Sequence, residues 1–135
     1  MLGQLEGDGT VVVADFEAGL GTLSRMEAGA VDVILVMAEP TQKSIEVARR
    51  ALTMIHERDL GRAILVANRI TGEEDRVLMA RAFAGRELVA VPDDPAVRAA
   101  DQEGRAPIEA APTAPAVRIL SSLAAGLPGP DSRPR

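Results

Sequence analysis

The chain has 135 residues, a formal net charge of -5 and a hydrophobic share of 47%, enough for one domain with a core of its own. The absence of cysteine excludes disulfides, thiolate nucleophiles and thiolate metal ligands, and the single histidine, His56, excludes a His-cluster metal site. The acidic balance and only two aromatic residues, Phe16 and Phe83, argue against nucleic acid as a partner, which needs basic surface and stacking rings.

No apolar run approaches the roughly 20 residues that span a bilayer, so no membrane segment is expected. MLGQLEGDGT shows no basic region followed by an apolar core, so the expectation is a cytoplasmic chain without a signal peptide. Of the basic residues only Lys43 is lysine, a bias that, with abundant Ala and Gly, fits a GC-rich bacterial genome.

In chain order, Val11 to Ala14 is an apolar β-branched run without polar alternation, read as a strand buried on both faces and followed by the turn-rich stretch DFEAGLGTLSR. The same reading applies to Val33 to Met37, Ala63 to Ala67 and Leu88 to Val91. Between the second and third runs, TQKSIEVARRALTMIHERD spaces Ile45, Ala48, Leu52 and Ile55 as one helical stripe, with Thr41 as N-cap and Gly61 as the stop. GEEDRVLMARAFAGR is a second helix, acidic at its start and basic at its end. DPAVRAADQEG is a short helix closed by Gly104, and PAVRILSSLAAGL a terminal one with Val117, Leu120 and Leu123 inward. The order predicts an α/β domain over residues 1–127, a mostly parallel sheet of about four strands with flanking helices and right-handed crossovers. Residues 128–135 read as a Pro-rich disordered tail.

Ligands of such sheets bind beyond the carboxyl ends of the strands. Those ends read ADFEAG, AEPTQKS, ANRITG and VPDDPAV, each with polar or turn-forming residues where the apolar run stops. In that order they resemble the later part of the deviant P-loop ATPases of the MinD and ParA kind, a SIMIBI-type NTPase fold. The similarity is greatest to the branch containing the nickel-insertion ATPase of carbon monoxide dehydrogenase maturation (CooC-like). The resemblance rests on ADFEAGLGTLSR, VMAEPTQKSIEVARR, VANRI, VPDDPAV and AADQEG, and covers about residues 8 to 123.

The resemblance implies ATP or ADP with magnesium as cofactors. It implies that Asp15 closes the Walker B strand and holds Mg²⁺ through its water shell, and that Glu17 and Gly19 lie in the switch loop. It further implies that Asn68 reads the adenine edge and that Pro92, Asp93 and Asp94 form the loop against the base. Taken without it, Asp15 and Glu17 are also ordinary turn carboxylates, Asn68 an Asx-turn residue, and Asp93 and Asp94 before Pro95 helix N-caps.

One part of the chemistry is missing. A P-loop needs a glycine-rich run followed by Lys and Ser or Thr, and TQKSIEV around Lys43 contains no glycine. No metal-delivery role carries over either, since that branch's paired cysteines have no counterpart. Three readings follow: a portion of an ATPase that binds nucleotide without hydrolysing it alone; an obligate partner module that completes a site with a separate P-loop chain; or a catalytically inactive interaction domain. The first is preferred. A sheet lacking its P-loop strand would expose apolar edges, so marginal stability or self-association, including a homodimer, is expected.

Overall fold

The structure is a computed structural model and describes residues 11–16 and 20–128. A three-stranded parallel sheet, β1 (Val33–Ala38), β2 (Arg62–Ile70) and β3 (Leu88–Pro92), runs in the order β1-β2-β3. Around it lie α1 (Leu20–Leu23), α2 (Gln42–Glu57), α3 (Glu73–Ala82), α4 (Pro95–Gln102), α5 (Pro107–Ala110) and α6 (Pro115–Ala125). The α/β class and parallel sheet agree with the sequence reading; the strand count does not. Val11 to Phe16 is exposed and has no regular secondary structure. A β-branched run becomes a strand only when a neighbour supplies its hydrogen-bond partners, and none of the three strands pairs with it.

The helices form where capping and periodicity agree. Thr41 accepts a hydrogen bond from the Ser44 N–H, and Ile45, Ala48, Leu52 and Ile55 are all buried along α2. The helix ends before Gly61, in a Schellman motif: Asp59 takes φ 50°, its N–H donates to His56 O, and Leu60 N–H donates to Ile55 O. Gly61 has a different purpose. Its φ is 153°, and a Cβ there would stand 2.5 Å from the Val31 carbonyl oxygen. Gly104 does close α4 as expected, with φ 65° and Arg105 N–H donating to Ala100 O.

Parallel registry sorts the strand residues onto two faces. Val36, Ala38, Leu65 and Ala67 share one, packed with Leu52 and Ile55 of α2, Met79 of α3 and the adjoining Phe83 in the larger core. Val66 and Val91 share the other, packed with Ala116, Ile119 and Leu123 of α6. Leu120, expected inward, is exposed, because the stripe facing the sheet runs through Ala116, Ile119 and Leu123 instead. The smaller core stops at β2. Leu35 and Met37 on β1 are 42% and 55% exposed, so this strand is not buried on both faces as its apolar run predicts.

Candidate functional site

The carboxyl ends of the strands bring Glu39, Asn68, Arg69 and the Pro92–Asp94 loop to one edge. In β2 the run Ile64 to Ala67 is fully buried between the neighbouring strands. At Asn68 the pattern breaks. Ala67 is in register with Ala90, and Ile70 with Pro92, so β2 spends three steps where β3 spends two. The extra residue is a bulge, and Arg69 within it adopts φ 57°.

Asn68 is half-buried, and its side-chain amide makes no hydrogen bond among the described residues. Its donor and acceptor pair remains available to a planar partner of matching pattern. Arg69 reaches towards both outer strand ends: its Nη1 lies 3.5 Å from Glu39 Oε1 and its Nε 3.9 Å from Asp93 Oδ1. Asp93 also pairs with Arg98 at 2.9 Å, and its N–H donates to Ile70 O at 3.0 Å.

Asp94 is fully engaged by backbone. Its Oδ1 accepts from Ala96 N–H at 3.0 Å, capping α4, and its Oδ2 accepts from Ala116 N–H at 3.1 Å in the first turn of α6. One carboxylate therefore fixes two helix starts and holds the loop after Pro92 in shape. Pro92 closes β3 and sits at N1 minus three of α4, leaving Asp93 between two arginines.

Asp15 is exposed and belongs to the unpaired segment, so it does not close a strand as expected. It offers one carboxylate; among the described residues no group of three or more His, Asp or Glu could enclose a metal. Magnesium commonly takes one or two carboxylates together with phosphate oxygens, so any fit at Asp15 depends on a phosphate being present. Glu17 and Gly19 lie outside the described residues. Lys43 is exposed near the start of α2, and no helix among the described residues is long and apolar enough to cross a membrane.

Sequence reasoning passed over Arg69. The available signal was the polar pair Asn68–Arg69 interrupting RAILVANRI before Ile70 returns to the core. Two concave surfaces of the described residues lie away from this edge: one groove follows α6 at Val89, Ile119 and Leu123, and another lies near the amino ends of β2 and β3 at Gly61, Ala63 and Glu87.

No family model matches the chain. It is similar to an uncharacterized ATP-binding protein of Methanocaldococcus jannaschii, with 29% identity over 68 residues, covering 50% of this chain and 26% of that protein. The matched segment spans about a quarter of the relative's length. This similarity supports a relationship to nucleotide-binding proteins.

Proposed function

We propose that this chain binds adenine nucleotides at the carboxyl edge as the base-recognition and switch portion of a MinD- or CooC-like ATPase, and does not hydrolyse ATP alone. The observation that carries the reading is Asn68: a half-buried side-chain amide without a hydrogen-bond partner among the described residues, at the end of the central strand and beside the Pro92 loop. An amide side chain presents the adjacent donor and acceptor that adenine's edge requires. The similarity to an ATP-binding protein supports the same ligand class.

In this reading Asn68 contacts the base, Pro92 packs against it, and Asp94 holds the loop while its own oxygens remain on the two helix starts. Glu17 and Gly19 lie in the switch loop, where the Gly19 amide senses the terminal phosphate, and Asp15 holds magnesium once phosphate oxygens share the ion. The sequence has no glycine-rich run followed by Lys and Ser or Thr, so it offers the phosphates none of the P-loop contacts that are normally the strongest such a ligand receives. Adenosine should therefore bind about as well as Mg·ATP, and guanosine more weakly than either. Titration of the ¹⁵N-labelled chain tests this: adenosine should shift the Asn68 side-chain amide and the amides of Asp93 and Asp94. Absence of any shift up to the solubility limit of adenosine would overturn the reading. Sustained ATP turnover lost in Asp15→Ala would overturn the claim of inactivity.

The exposed Leu35 and Met37 favour a second copy or a P-loop-containing chain as partner, because apolar side chains on an edge strand gain from being covered. Size-exclusion chromatography across a range of concentrations measures the self-association this implies. A monodisperse monomer throughout would leave only the separate chain.

A further inference from the structure

The unusual feature of the carboxyl edge is an arginine in a conformation that glycine adopts more easily. Arg69 has φ 57° within the bulge of β2, and bulges that use left-handed backbone normally place glycine there. Glycine would remove the strain, but it would leave Glu39 and Asp93 without the cation that lies between them at 3.5 and 3.9 Å. These contacts reach the ends of both neighbouring strands, so they restrain the bulge from two sides. The residue carried by that bulge is Asn68, whose side-chain amide makes no hydrogen bond among the described residues.

We infer that Arg69 is a positioning residue for Asn68: its guanidinium, held between Glu39 and Asp93, fixes the bulge and so selects one side-chain rotamer of Asn68. This rests on the adenine-binding reading only for what the positioned amide is used for. Without the restraint the amide samples its three staggered χ1 wells. If one of the three is competent, apparent affinity for a base falls about threefold.

The test compares full-length wild type with Arg69→Gly, which permits the left-handed backbone without the ties, and with Arg69→Lys, which restores the charge. Three-bond couplings should report one Asn68 χ1 rotamer in wild type, averaged rotamers in Arg69→Gly and partial recovery in Arg69→Lys. Hydrogen exchange at the Asp93 amide, which bonds Ile70 O, should quicken about threefold in Arg69→Gly, as expected for loss of exposed ion pairs. Unchanged protection along α2 verifies the fold.

An Asn68 rotamer distribution equal in wild type and Arg69→Gly overturns the inference, even if Asp93 exchange rises, because the arginine would then only stabilise the edge. Adenosine separates this from the proposed function. No adenosine shift in wild type sinks the base-binding reading, while the ligand-free couplings still decide the role of Arg69. Equal adenosine affinity in wild type and Arg69→Gly, with couplings that differ, overturns Asn68 as the base contact and leaves its positioning by Arg69 standing.

Discussion

The two faces of the sheet are built from similar apolar residues but are covered unequally. On one, Val36, Ala38, Leu65 and Ala67 form a continuous layer under α2 and α3. On the other, α6 covers Val66 and Val91 and leaves Leu35 and Met37 of β1 facing solvent. The difference shows that apolar sequence does not establish burial. What decides it is whether the chain brings a second layer over that strand, and among the described residues the first face receives α2 and α3 while the second receives α6.

The largest contrast should come from truncating equivalent residues on the two faces. Ile55→Ala or Leu65→Ala removes side chains that are 1% and 0% exposed, and each should cost about 2–5 kcal/mol. Leu35→Ala and Met37→Ala, on the open part, should stay within about 0.5 kcal/mol. Urea denaturation of the four variants measures the difference. Comparable losses at Leu35 would break the comparison, since they would mean that this face is covered in solution.

Gly61 tests how the covered face is joined to the chain before β1. Gly61→Ala adds a Cβ at 2.5 Å from Val31 O on a backbone at φ 153°, and should cost about 1–3 kcal/mol. Thermal denaturation reads it directly, and no change would mean that the Val31 segment moves aside without loss. Asp94→Ala, on the less covered side, removes caps from α4 and α6 together. A loss of about 1–2 kcal/mol is expected, with Asp94→Asn retaining part of it; a cost near zero would show that other groups cap both helices.

Legibility in the sequence followed how local each cause was. The Thr41 cap, the α2 stripe and the Asp94–Pro95 start with Gly104 as its stop depend on neighbours within a few residues, and they form where the pattern places them. The strand expected at Val11 to Ala14 depends on pairing with distant chain, which local propensity does not encode. The bulge at Arg69 is likewise defined by β3, and the second cap made by Asp94 joins residues 22 apart. Asn68 and Pro92 could be placed at the same edge because parallel strands end on the same side. Their relation to Arg69 required the actual register.

The smallest expected effect lies at the start of α3, the shorter helix over the covered face. Asp75 Oδ2 accepts from Thr71 Oγ1 at 2.6 Å and from Thr71 N–H at 2.8 Å. The hydroxyl first and the backbone amide second hold the carboxyl below its usual range, with the small opposing effect of desolvation. A carboxylate whose folded pKa is depressed binds fewer protons folded than unfolded, so its stabilisation is fully present above the unfolded value of about 4 and disappears as pH falls through the lower folded value. Thr71→Val removes the hydroxyl donor and leaves the amide. The Asp75 carboxyl should therefore titrate at higher pH than in wild type while still below the unfolded value. The variant should be slightly less stable than wild type at pH 7, through loss of this linkage, and the linkage part of that difference should vanish in acid. Carbon-detected NMR titration of Asp75 measures the first effect, and denaturation at neutral and acid pH the second. An unchanged Asp75 titration would assign the depression to the backbone amide alone and remove the side chain of Thr71 from the fastening of α3.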